Sequence, residues 1–287
     1  MKILVLASGG DAPGMNNFLY YITKAFKKDA YACKAGFKGL IEGRYYALSE
    51  LDTKKYKNCA GCIVKSSRCP EFKTPAGFSK GLENAKKFDL CIILGGNGSE
   101  KGAEKLAENG VRTIFVPATI DNDVKSSEYS IGFHTAVREC CHAVEAIMPS
   151  MEAFSRACIF ETMGRHDSAI AKTSAGIISA DYLIGDEKDL DYDKIAKIIN
   201  RNYKGEHSTS IILRENIVKK NELMKELSLR VPKEILKYHV IGHTQRGGKP
   251  SKVELKISKK LAKKAINFIK KSKNSGKVKI INFIPEI

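Results

Sequence analysis

A recurring unit constrains the fold of this chain most: a short apolar run, a loop bearing glycine or acid, then a segment with a 3.6-residue apolar period. The run at 2–7 ends in Ser8-Gly9-Gly10-Asp11-Ala12-Pro13-Gly14-Met15-Asn16, and a helix is expected from there to about Lys28. Strand-like sequence follows at 30–35. Further on, 82–88 reads as helix, 90–94 as strand, and Ser99 as the cap of a helix running towards Asn109. The clearest helix is 133–148, where Phe133, Ala136, Val137, Cys140, Val144 and Ile147 keep the period. Strands at 157–160, 182–184 and 208–213 then alternate with helices at 168–178 and 192–202. This grammar predicts an α/β protein of two lobes, each a mostly parallel sheet with helices on both faces. A length of 287 residues, above that of a usual single domain, agrees with two lobes. In such folds ligands bind at the carboxyl ends of the strands.

Composition removes other classes. No apolar run is long enough to span a bilayer, and Ile3-Leu4-Val5-Leu6 reads as a first strand rather than a signal peptide, so no membrane partner is expected. Eight scattered cysteines, with Cys91, Cys140, Cys141 and Cys158 inside apolar patterns, suit a reducing cytoplasm. Cys59-Ala60-Gly61-Cys62 has no second pair at zinc-site spacing and reads as two unpaired thiols. The net charge of +17 raises nucleic acid as a partner. Much of the excess lies among lysines 252–279, interleaved at helical spacing with Leu261, Ala262, Ala265, Ile266 and Ile269. That is a core-facing stripe with a solvated back. Few aromatics accompany the lysines, which argues against nucleic acid. The positive field would instead attract multiply phosphorylated substrates.

Chemistry concentrates in the loops. Pro117-Ala118-Thr119-Ile120-Asp121-Asn122-Asp123 puts a hydroxyl and two carboxylates after the strand-like run at 113–116. Such carboxylates can hold a magnesium ion and take a proton from a hydroxyl. Gly95-Gly96-Asn97-Gly98-Ser99 places three glycines in four positions, more than a turn needs, and reads as a phosphate loop without the Walker ending. Gly9-Gly10-Asp11 suits an anion or, equally, a tight strand-to-helix turn. Met163-Gly164-Arg165-His166 offers an arginine to a phosphoryl group, or simply a surface arginine after a turn. Ile241-Gly242-His243-Thr244-Gln245-Arg246-Gly247-Gly248 sets His and Arg three apart, suited to a substrate phosphate. A phosphate cradle beside acids is what phosphoryl transfer needs.

Together these segments resemble the 6-phosphofructokinase family of the ATP-dependent bacterial type. The carriers are SGGDAPGMN, GFKGL (36–40), SSRCPEF (66–72), GGNGS, PATIDND, IGFHTA (131–136), MGRH and IGHTQRGG, in the family's order from Lys2 to about Phe283. The resemblance implies transfer of the γ-phosphoryl of ATP to the 1-hydroxyl of fructose 6-phosphate, giving fructose 1,6-bisphosphate in glycolysis. It implies a larger ATP-binding lobe at 1–131 plus 248–287 and a smaller sugar-phosphate lobe at 132–247. Asp121 is implied as the base, with Thr119 and Asp123 positioning the sugar and the metal-bound phosphates. Arg165 and Gly10 would steady the transferring phosphoryl. ATP would be held by Gly10, Phe37, Arg68, Cys69, Asn97, Gly98, Ser99 and Gly102, and Mg2+ by Asn97 and Asp123. Sugar phosphate would be held by Thr119, Asp121, Asp123, Met163, Gly164, Arg165, Glu215, His243 and Arg246. Arg156 and Lys237 would reach the 6-phosphate across a subunit interface of a cytoplasmic homotetramer with shared active sites.

The chain departs from the family pattern at several positions. Asn97 stands where the ATP-using members place a magnesium-associated aspartate, and an amide oxygen is the weaker ligand. Lys237 replaces an arginine and gives up its bidentate fork. Tyr20, Lys24 and Glu50 occupy effector-site positions, which implies no ordinary control by ADP or phosphoenolpyruvate. The chain is also expected to lack a terminal helix of the smaller lobe. Pyrophosphate users resemble the family but carry an aspartate at the position of Gly98 and a lysine at that of Ala118, so the small residues here favour a nucleotide. The alternatives are a pyrophosphate-dependent enzyme and a weakened regulatory subunit that binds sugar phosphate.

Overall fold

The computed structural model describes residues 1–279. The expectations that reach 280–287, namely the end of the larger lobe and of the family resemblance, lie outside the described residues. The chain divides into two compact units, Met1–Thr135 with Arg246–Ile287, and Ala136–Gln245.

The first unit opens with β1 (Ile3–Ala7), α1 (Met15–Phe26), β2 (Ala30–Cys33), α2 (Gly36–Glu42), β3 (Tyr45–Ala47), α3 (Thr53–Tyr56) and α4 (Pro75–Ala85). It continues through β4 (Leu90–Gly95), α5 (Asn97–Glu108), β5 (Thr113–Thr119) and β6 (Ile131–Gly132) to α6 (Phe133–Glu152), which carries the chain onward. In the second unit follow β7 (Ala157–Thr162), α7 (Ala169–Ile177), β8 (Tyr182–Ile184), α8 (Tyr192–Lys204), β9 (Thr209–Arg214), α9 (Lys220–Ser228) and β10 (Leu236–Val240). After α10 (Thr244–Gly247) the chain returns to the first unit with α11 (Lys252–Lys271) and β11 (Gly276–Lys277).

The first sheet runs β11-β5-β4-β1-β2-β3 with β6 beside β5, parallel throughout except for the β2–β3 pair. Every residue of β1, β4 and β5 is buried. A parallel sheet covered on both faces demands such unbroken apolar runs, and this is why they were legible as strands. The second sheet, β10-β7-β9-β8, is wholly parallel, with separate apolar clusters around Ile159 and Ile211 and around Phe160 and Ile212.

α11 buries Ile257, Leu261, Ala262, Ala265 and Ile269 and exposes Lys259, Lys263, Lys264 and Lys270, while Ile266 is only partly buried. Its first turn holds a surprise. Glu254 is fully buried, and its carboxylate accepts hydrogen bonds from the amide of Gly132 (2.8 Å) and from the amide and hydroxyl of Thr135 (both 3.2 Å). α11 is thereby fastened to the start of α6. Burial pushes the Glu254 carboxyl up to about 7 from 4.5, against the donors of Gly132, Thr135 and His134 that pull it down. A carboxyl raised on folding stabilises most below pH 4.5, where both states are protonated alike, and that stability is lost as pH rises through about 7. Thermal midpoints measured across this range should fall with pH, and Glu254→Gln should remove that slope even though it costs one hydrogen bond.

All eight cysteines are free, with Cys33, Cys91, Cys140, Cys141 and Cys158 buried. Burial pushes the Cys33, Cys91, Cys140 and Cys158 thiols up to about 12, so they pack as small apolar groups. Among the described residues no helix is long and apolar enough to cross a membrane.

Candidate active site

Three neighbouring parallel strands, β5, β4 and β1, end side by side, with Gly95 level with Pro117 and Ala7 level with Leu94. Their loops therefore meet: 8–11 after β1, 95–99 after β4 and 119–123 after β5. Ser8 donates its amide to the Leu94 carbonyl (2.9 Å), and the Ser99 hydroxyl donates to the Ser8 carbonyl (3.2 Å). Ser99 is thus not the helix cap expected from its residue type. α5 begins two residues earlier, after Gly96, which supplies no side-chain cap. The Ser99 and Glu100 amides return to the Gly96 carbonyl (2.9 and 3.0 Å), so the anion-binding donors this helix start offers are the amides of Asn97 and Gly98.

Gly95 is required by space. A Cβ there would fall against the Ser99 side chain and 2.6 Å from the Ser8 carbonyl. Gly98 is the opposite case: it is exposed, and a Cβ would meet nothing within 4 Å. At Gly10 a Cβ would strike the Arg246 guanidinium, which donates to the Asp11 carbonyl (2.8 Å). Arg246, read from sequence as a sugar-phosphate ligand, therefore belongs to the first unit and braces its first glycine loop.

The acid loop is shaped by a residue that sequence reasoning passed over. Asn122 adopts a left-handed backbone (φ 53°), which asparagine tolerates better than most residues. Its side-chain oxygen accepts from the Ser130 amide (2.8 Å), its NH2 donates to the Glu128 carbonyl (2.9 Å), and the Ser130 hydroxyl donates to the Thr119 carbonyl (2.6 Å). Asp121 and Asp123 flank this turn, both half-buried, and the Asp121 amide donates to the Thr119 hydroxyl (3.3 Å). The asparagine in the acid motif was visible, but its role depends on Ser130, eight residues on.

Asn97 joins the two loops. Its NH2 donates to the Asp123 carboxylate (2.6 Å) and to the Asp123 carbonyl (3.1 Å). Of its two amide atoms, only the oxygen remains to face a cation. Among the described residues no group of three or more His, Cys, Asp or Glu is arranged to hold a metal. That donor set does not make an all-protein cage, but it fits Mg2+, which takes one or two carboxylates and completes its shell with phosphates and water.

The remaining residues expected to hold nucleotide lie in the same unit. Phe37 is buried, stacked on Phe72 at 4.1 Å between ring centroids, and covers Gly102, so its ring serves the core under α5. Arg68 is exposed, and the Cys69 thiol, half-buried, donates to Glu71 (3.4 Å).

In the second unit the loop after β7 is strained: Gly164 (φ 147°) and Arg165 (φ 43°) both take positive φ. Glu215, expected to touch sugar phosphate, accepts from the amides of Gly164 (3.2 Å) and Arg165 (3.0 Å) with one of its carboxylate oxygens. Arg214 donates to the carbonyls of Arg165 (2.6 Å) and Gly185 (2.8 Å). The buried Gln245 accepts from the Met163 amide (3.3 Å). Arg214 and Gln245 escaped the sequence reading, although an Arg-Glu pair at a strand end beside a glycine loop was a usable signal. His243 is exposed, just after β10. Arg156 and Lys237 lie at the amino ends of β7 and β10, with Lys237 level with Cys158. A six-residue strand spans roughly 20 Å, so within one chain these two cations sit at the opposite end of the sheet from the loop that carries Arg165.

The phosphofructokinase family model matches residues 2–269. The ATP-dependent 6-phosphofructokinase of Vibrio campbellii is 34% identical over 274 residues, which cover 93% of this chain and 85% of that one. Among solved structures, Pichia pastoris phosphofructokinase in the T-state superposes with a TM-score of 0.85 at 25% identity over 94% of this chain, which spans 32% of that longer one. Pyrophosphate-dependent phosphofructokinase from Nitrosospira multiformis gives a TM-score of 0.82 at 18% identity, covering 95% and 77% of the two chains. That last likeness is one of fold alone.

Proposed function

Because the chain belongs to the phosphofructokinase family, we propose that it moves the γ-phosphoryl of ATP to the 1-hydroxyl of fructose 6-phosphate. The observation that carries the proposal is the pair of hydrogen bonds from Asn97 to Asp123, which binds the glycine loop to the acid loop. A donor's polyphosphate and an acceptor's hydroxyl are thereby brought to one place.

In this reading the first amides of α5 and the loop at Gly10 receive the polyphosphate. Asp121 takes the proton of the sugar's 1-hydroxyl as that oxygen bonds to the γ-phosphorus. The bond from the γ-phosphorus to the β,γ-bridging oxygen breaks, ADP leaves, and the proton passes from Asp121 to solvent. Thr119 and Asp123 orient the reacting groups. Arg165 is assigned to the phosphoryl charge, in a loop that Arg214 and Glu215 hold in shape. Asp123, with the Asn97 oxygen beside it, would hold Mg2+, which when bound offsets the charge on the β- and γ-phosphates. Met163, Gly164 and His243 complete recognition of the sugar phosphate.

The position of Arg156 and Lys237 at the far end of the second sheet supports service to a neighbouring subunit, hence a homotetramer with shared sites. The free cysteines support a reducing, cytoplasmic setting. A coupled assay with fructose 6-phosphate should give turnover with Mg·ATP and none with pyrophosphate. The reverse result would make the chain a pyrophosphate-dependent enzyme, and silence with both would leave a sugar-phosphate-binding subunit.

A further inference from the structure

We propose that Asn97 is a positioning residue that fixes the Asp123 carboxylate through a neutral amide clamp, so that the acid loop is set without a cation and Mg2+ enters with the nucleotide. The role of Asp123 towards that metal rests on the kinase reading; the clamp itself does not.

The orientation of the amide is fixed by chemistry. Both partners of the Asn97 nitrogen, a carboxylate oxygen at 2.6 Å and a backbone carbonyl at 3.1 Å, are acceptors, so only the NH2 end can face them. A hydrogen bond to an ionised carboxylate is among the stronger kinds, and here it acts on a half-buried group where water competes less. Gly96 brings the backbone close on the other side: a Cβ built there would lie 3.6 Å from an Asp123 carboxylate oxygen and 3.4 Å from the Thr119 Cβ. The Asn97 amide is thus what holds Asp123, and the missing side chain at Gly96 keeps the space beside the carboxylate open. An aspartate at position 97 could not make this clamp. It would set two carboxylates within hydrogen-bonding distance, and such a pair stays ionised only with a counter-ion between its members. With asparagine, the same geometry needs none.

Thermal unfolding of the full chain without nucleotide, in EDTA and in millimolar Mg2+, tests the clamp directly and does not depend on the enzyme's substrate. The natural chain should unfold at the same temperature in both. Asn97→Asp should unfold about 3–6 °C lower in EDTA and recover in Mg2+. Asn97→Ala, which removes the donor without adding charge, should lose stability in EDTA and gain nothing from Mg2+. The proposal is overturned if Asn97→Asp matches the natural chain in EDTA, if the natural chain itself gains several degrees from Mg2+, or if Asn97→Ala gains as much as Asn97→Asp. The assay with ATP and fructose 6-phosphate is read separately: no turnover there, with these thermal shifts intact, would sink the kinase reading and leave the clamp standing.

Discussion

Replacing Asp121 by alanine is expected to lower turnover about 10²- to 10⁴-fold, the range that a positioned general base supplies. Binding of fructose 6-phosphate should change little by comparison. The expectation separates chemistry from architecture, because the loop owes its shape to Asn122, Ser130 and the Thr119 carbonyl rather than to position 121 alone. A variant that binds the sugar phosphate, unfolds at the natural temperature and turns over slowly fits a lost base. Turnover unchanged within a few fold would remove Asp121 from that role and pass it to Asp123, across the Asn122 turn.

Gly98→Asp should severely weaken use of ATP while leaving the fold intact. The site is exposed and a Cβ meets nothing within 4 Å, so the side chain is accommodated without strain. A carboxylate in the first turn of α5 also opposes the helix dipole favourably, by roughly 0.3–1 kcal/mol. Against a polyphosphate on the same helix end it acts in the other direction. Two unit charges about 4 Å apart at an effective dielectric near 20 repel by about 4 kcal/mol before salt screening. The apparent KM for ATP should therefore rise about 100-fold or more, with an unfolding temperature equal to or slightly above that of the natural chain. If the KM for ATP holds within a few fold, the donor does not run past Gly98.

Legibility differed between parts of the molecule for physical reasons. β1, β4, β5, β7 and β9 were readable because central parallel strands are buried on both faces and leave continuous apolar runs. β3 and β10 were not: β3 is half-buried throughout and β10 runs from buried to exposed, so neither leaves a continuous apolar run. α4 begins at Pro75, well ahead of the helix read from 82, because its buried face of Gly77, Phe78, Gly81 and Ala85 has a single large apolar group and leaves no clear apolar period. Within the site, the glycines and acids announced themselves by residue type. The residues that hold them, Asn122 with Ser130, Arg214 with Arg165, and Glu254 with Gly132 and Thr135, act over distances in sequence that a local pattern does not span. Ser99 shows the same limit. Its residue type suits a cap, yet the neighbouring strand places the Ser8 carbonyl within its reach, and tertiary contact prevailed over local preference.

The most direct test of the central claim follows the phosphorus itself. Phosphorus NMR of the chain with Mg·ATP and fructose 6-phosphate should show the γ-phosphoryl signal disappear as a sugar 1-phosphate ester grows in equal amount, with the 6-phosphate retained. Release of inorganic phosphate from ATP with no new ester on the sugar would contradict phosphoryl transfer to that hydroxyl and, with it, the role given to the acid loop.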